Sequence, residues 1–200
     1  MKFVLRSLSF VLFGTLVIGA QGKPVPATKQ IDIYVRSLEQ YMERTGQRKI
    51  VVADVAGEGE KKAKWKFFSS EKALETFREA SETYAIAFSW KKGGKTVLSN
   101  FTTFSPSGDW TQYVNHYFRR NGSVAYVRSE LRTFYGEMIV IRRDYFDPSG
   151  KLIRRTTNYL DLTTHKPKKP TDDLRANNNR FFLGTVYKKV NRLPFAHLLK

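Results

Sequence analysis

None of the 200 residues is a cysteine. That absence excludes disulfide staples, thiolate metal ligands and a cysteine nucleophile together. Histidine is scarce as well: His116, His165 and His197 are the only three, and they fall in three different kinds of segment without metal-ligand spacing. No Gly-x-Ser-x-Gly elbow, His-Glu-x-x-His pair or phosphate-cradling loop occurs, and Gly57-Glu58-Gly59 lacks the third glycine of a dinucleotide fingerprint. Catalysis, metals and cofactors thus have no motif to stand on, and the chain reads as a non-enzyme. Acid is the remaining deficit. Asp and Glu number 18 against 35 Lys and Arg, a net charge of +17.

Long apolar runs are also missing, with one exception at the start. Lys2 and Arg6 precede an uncharged stretch from Phe10 to Ile18 that ends in small residues, the three-part pattern of a secretory signal peptide over 1–22. Ala20 and Gly22 both satisfy the small-residue rule for cleavage. The run falls short of the roughly 20 residues that cross a bilayer. Without a cysteine after it, a lipid-anchored lipoprotein is excluded. Exported animal domains usually carry disulfides, so a cysteine-free exported chain points to a bacterial protein in the periplasm or outside. Residues 23–200 then form one domain with a formal charge of +15, a surface that favours polyanions. An anionic envelope polymer, a lipid headgroup or an apolar ligand are the candidate partners; nucleic acid has no motif behind it.

Within that domain the stretch from Phe101 to Leu162 carries glycines at Gly108, Gly122, Gly136 and Gly150, a step of fourteen residues. Ser105-Pro106-Ser107-Gly108, Arg120-Asn121-Gly122 and Asp147-Pro148-Ser149-Gly150 are turn sequences, because proline presets φ and glycine accepts φ > 0. Aromatic and β-branched residues fill the intervals, so the region reads as an antiparallel meander over 84–162. Tyr145-Phe146-Asp147-Pro148-Ser149-Gly150-Lys151-Leu152-Ile153 resembles the hairpin unit of bacterial YD- and MORN-type β-repeats. The resemblance covers one hairpin and implies a repetitive β-meander without implying an activity.

If Asn121-Gly122 is a two-residue turn, the central hairpin can be read pair by pair. Phe118 faces Ala125, His116 faces Val127, Val114 faces Ser129 and Gln112 faces Leu131, a mostly apolar core side. The other side pairs Tyr117 with Tyr126, Asn115 with Arg128, Tyr113 with Glu130 and Thr111 with Arg132. Tyrosine and arginine give large contact area at low entropy cost, so Tyr113, Tyr117, Tyr126, Arg128, Glu130 and Arg132 form a candidate ligand surface on an outward face. The same pairs also stabilise an ordinary sheet. A competing reading is a secreted basic hydrolase, nuclease-like, with Glu130 as base beside Arg128 and Arg132. The pairing places His116 on the opposite side from it.

Helical spacing predicts one helix at about 29–44, within a spacer-and-helix segment 23–47, and another within 70–82 started by Ser69 or Ser70. Between them, 48–69 reads as a hairpin whose lysine-studded second strand suits a sheet edge. Thr163 to Pro170 is an extended basic loop, part of 163–180, with Lys166, Lys168 and Lys169 as a candidate anion-binding set. Residues 181–200 read as a last strand at Phe181 to Tyr187 and a small terminal helix or tail. The expected fold is α+β: a twisted antiparallel meander of seven to nine strands, in the form of a half-barrel, covered by one or two N-terminal helices.

Overall fold

The computed structural model describes residues 25–45, 49–56, 60, 62–172 and 185–200. The signal peptide expected over 1–22 and residues 181–184 of the expected last strand lie outside them. Eight strands are described: β1 (Ile50–Asp54), β2 (Trp65–Phe68), β3 (Ala85–Lys92), β4 (Lys95–Phe104), β5 (Trp110–Phe118), β6 (Val124–Thr133), β7 (Met138–Phe146) and β8 (Leu152–Asp161). They form one open antiparallel sheet in the order β2-β1-β3-β4-β5-β6-β7-β8. Helices α1 (Ala27–Thr45) and α2 (Glu71–Ala80) complete an α+β fold.

The glycines explain why the meander folds back where it does. Gly108, Gly122 and Gly150 each donate their amide to the residue three back, Ser105, Arg119 and Asp147, at 3.1, 2.8 and 3.0 Å. Each adopts a positive φ, between 77° and 85°, which closes the turn and feeds the next strand. Because the β5–β6 loop takes this form, the expected two-residue turn is corrected. A bulge between Tyr117 and Phe118 shifts the register, so Phe118 pairs with Val124 and not with Ala125. Every other expected pair from Gln112–Leu131 to Tyr117–Tyr126 is present.

Each side of the sheet has its own cover. On one side Ile31, Val35 and Leu38 of α1 pack on Val97, Leu98, Tyr117, Tyr126 and Tyr145. On the same side Leu74, Ala73 and Phe77 of α2 pack on Val51, Ala53, Phe68 and Ile86. Ser70 caps α2 by accepting from the Ala73 amide at 3.1 Å. On the other side the C-terminal segment inserts Leu193, Phe195 and Leu199 against Val52, Phe101, Val114, Phe118, Val124 and Val127. That segment contains two 3-10 turns, Val190–Arg192 and Ala196–Leu198. Thr185 to Tyr187 cross the sheet without strand pairing, which corrects the described part of the expected last strand.

Both sheet edges are protected. β2 is the edge strand that its lysines suggested. At β8 the Lys-Pro loop folds back: Leu160 bridges to Pro167, Asp161 donates its amide to the Lys166 carbonyl at 2.8 Å, and the Lys168 amide donates to Tyr159 at 3.1 Å. Proline cannot extend such a ladder, so the edge ends there.

Candidate functional site

In a meander every second turn returns to the same end of the sheet. Gly94 extends the glycine series one step toward the N-terminus, so Gly94, Gly122 and Gly150 recur every 28 residues at one end. Together with the C-terminal segment, these three turns enclose a concavity of about 840 Å³. Its cationic side chains are Lys95, Arg120, Lys188, Lys189 and Lys200, and no Asp or Glu is among the described lining residues. Asn121, Ser123, Ser149 and Asn191 add neutral hydrogen-bonding groups.

The turn that supplies Arg120 to the basin is braced from behind. Arg119 donates from Nη1 to the Val124 carbonyl and from Nη2 to the Phe146 carbonyl at 2.6 Å, tying the β5–β6 turn to the end of β7. That anchoring leaves the next residue, Arg120, exposed at the rim. The C-terminal segment pairs with the same turn: Val124 donates to the Lys188 carbonyl at 2.9 Å, Val190 donates to the Gly122 carbonyl at 3.0 Å, and Ser123 bridges to Lys189. Lys188 and Lys189 are therefore held by backbone pairing at their own positions. The Lys188 stem crosses Gly150, where an added Cβ would lie 3.8 Å from its Cδ.

Elsewhere several of the described cations meet acids. Lys49 meets Glu71 at 2.5 Å, Lys64 meets Glu60 at 2.7 Å and Lys168 meets Asp161 at 3.1 Å. In the basin, like charges converge from two turns and the C-terminal segment with no Asp or Glu among the described lining residues, which raises the local positive potential.

The sequence-derived ligand surface divides in two. Tyr113, Arg128, Glu130 and Arg132 do lie together, with the Arg132 guanidinium 5.9 Å from the Tyr113 ring centre. Glu130 accepts from Arg128 Nη2 at 2.5 Å and from Arg132 Nε at 2.8 Å. Burial opposes its ionisation, but the hydrogen bonds and charges of Arg132 and Arg128 outweigh that and hold its carboxyl below the usual carboxylate range. Such a group is an engaged acceptor rather than a base poised near neutrality. His116 projects on the opposite face from it, paired with Val127 and 0% exposed.

Tyr117 and Tyr126 do not belong to an outward face, which corrects that expectation. They are 3% and 6% exposed, in a row with Tyr145 whose neighbouring ring centres lie 5.5 and 5.0 Å apart beneath α1. Of the candidate lysines, Lys166 and Lys169 are exposed, whereas Lys168 is committed to Asp161 and to the Glu137 carbonyl at 3.2 Å. Sequence reading missed the basin because each turn alone is ordinary. The legible signal was the doubled glycine period, which predicts which turns share an end.

Among the described residues no group of three or more His, Asp or Glu could hold a metal, and no helix is long and apolar enough to cross a membrane. Comparison with protein-family models, with curated proteins and with solved structures finds no match.

Proposed function

We propose that this chain is an exported, non-catalytic binding protein whose ligand is a multiply charged anion seated in the basin at the turn end of the sheet. The observation that carries the reading is the convergence of Lys95, Arg120, Lys188 and Lys189 from two turns and the C-terminal segment on one concavity with no Asp or Glu among its described lining residues. Several cations on one concavity suit an anion with several charges, such as an acidic envelope polysaccharide or a cluster of lipid headgroups. The periplasmic or extracellular setting rests on the N-terminal pattern of residues 1–22. In an oxygen-exposed compartment, a fold held by packing alone has no thiol to protect.

Calorimetric titration with dextran sulfate at low and at physiological salt tests the basin directly. Binding is expected at low salt and weaker at high salt, because screening at 0.15 M already acts within about 8 Å. Replacing Lys95, Arg120, Lys188 and Lys189 with glutamine removes most of it. Replacing Lys72, Lys91, Lys166 and Lys169 changes the net charge equally and leaves most of it intact. Equal losses in the two variants would reduce the basin to net charge alone. The intact mass of the exported chain checks the compartment, with cleavage expected after Ala20 or Gly22.

A further inference from the structure

The sheet side that carries the C-terminal segment holds a second concavity, formed away from the basin by the end of β4 and the start of β5. It has a volume of about 280 Å³, room for roughly nine waters at about 30 Å³ each. Trp65, Phe101, Trp110 and Tyr187 line it with rings, and Gln112 and His116 bring polar groups. Phe101 stacks on Tyr187 with centroids 5.4 Å apart and meets Trp65 edge-on at 6.0 Å. No described lining residue other than His116 is titratable with a charge at neutral pH, and burial pushes that imidazole down to about 4.

Three side-chain atoms here are buried without a hydrogen-bond partner: Trp65 Nε1, Gln112 Nε2 and His116 Nδ1. Gln112 is 7% exposed and His116 0%. The Tyr187 amide, always a donor, lies 3.1 Å from His116 Nε2, so that nitrogen offers its lone pair and the ring proton sits on Nδ1. Nε2 cannot then also donate to the Thr185 carbonyl at 3.2 Å. The carbonyls of Val114 and Ser99 ease the burial of the ring, but neither meets Nδ1 in hydrogen-bonding geometry. All three orphans are therefore N–H donors, and none has an acceptor in hydrogen-bonding geometry.

We propose that this concavity binds a small, neutral, aromatic molecule that carries an accepting oxygen, of the aryl ketone type. Rings on the wall match a flat apolar body. The unanswered donors match a carbonyl oxygen, since a buried polar group left unpaired costs more than a made bond returns. A carboxylate would enter without a countercharge and lose its hydration, so the anion is selected against. The inference is independent of the basin, which shares none of the six lining residues named here.

Acetophenone, ethylbenzene and benzoate have nearly one shape and differ in acceptor and charge. Titrating each into the ¹⁵N-labelled protein at pH 7, we expect acetophenone to move the Trp65 indole N–H resonance saturably. Ethylbenzene should bind about tenfold more weakly, and benzoate more weakly still. Gln112→Leu should bring acetophenone and ethylbenzene together while leaving ethylbenzene unchanged. Should that variant fail to fold, Trp65→Phe keeps the ring, loses the donor and should narrow the same gap. Equal affinities for ketone and hydrocarbon, preference for benzoate, or no shift up to about 10 mM acetophenone would each overturn the proposal.

Discussion

Tyr117 on β5 donates its hydroxyl to Glu39 of α1 at 2.7 Å, across 78 residues of sequence. Two parallel contacts flank it: Tyr145 donates to Asp32 at 2.9 Å, and Tyr34 donates to the Phe118 carbonyl at 2.5 Å. α1 is thus fixed in rotation on the tyrosine row by polar contacts, while Ile31, Val35 and Leu38 supply apolar burial. Hydrogen bonds to charged groups contribute about 1.5–3 kcal/mol, with partial exposure favouring the lower end. Tyr117→Phe should therefore cost roughly 1–2 kcal/mol in urea unfolding. Glu39→Gln placed in that variant should add little. Additive losses would show that the two groups act separately.

The same row predicts an alkaline limit. Desolvation pushes Tyr126 up to about 12, helped by the charge of Tyr145, and raises Tyr117 further still, with Glu39 adding to it. An unfolded tyrosine titrates near 10, so below that pH both states are protonated and the contribution is complete. Above about 10 the unfolded chain loses protons first, and stability falls through the raised values at up to about 1.4 kcal/mol per pH unit for each such tyrosine. Unfolding free energy measured from pH 9 to 11.5 should bend downward near 10. Tyr126→Phe should flatten the bend; an unchanged slope would mean that the row is solvated.

His116 works in the other direction. Burial lowers its pKa to about 4, against about 6.5 unfolded. Between those values the unfolded chain takes the proton and the folded one does not, so the stability present above pH 6.5 is lost as pH falls toward 4. The full effect is about 3 kcal/mol. Glutamine can still accept from the Tyr187 amide, so His116→Gln should remove the slope between pH 6.5 and 5 without removing the fold. Persistence of the slope in that variant would assign it to other groups.

What the sequence made legible follows from local rules. Turn residues at Gly108, Gly122 and Gly150 fix hairpins by φ, and alternation fixes which residues share a face, so the β5–β6 pairs could be read off except beyond the bulge at Phe118. Alternation does not say what covers a face. Tyr117 and Tyr126 looked outward because their cover, α1, lies some eighty residues away and leaves no mark on the strand pattern. The basin depends on three turns and the C-terminal segment meeting, and a bridge such as Ser123–Lys189 has no local signature. Leu193, Phe195 and Leu199 follow no helical or strand period, yet all three are core residues.

Asp144 on β7 offers the sharpest asymmetry. It is 0% exposed and accepts from Arg155 Nε and Nη2 at 2.7 and 2.8 Å, while Arg142 Nε lies 3.3 Å away. The two arginines differ in setting: the Arg155 side chain is 48% exposed, whereas that of Arg142 is 7% exposed and its Nη2 has no partner. Removing Asp144 therefore strands a buried guanidinium, a loss of about 3–5 kcal/mol. Removing Arg155 leaves Asp144 with Arg142 and with room for water where the arginine stood, so the loss is smaller, roughly 1–2 kcal/mol. Asp144→Asn should thus unfold at much lower urea than Arg155→Gln. Combining Asp144→Leu with Arg142→Leu removes both buried charges and should recover much of the single-site loss, as replacing a buried pair by apolar groups of similar volume commonly does. Failure to recover would mean that the charges, and not their pairing cost, hold β7 in the centre of β6 and β8.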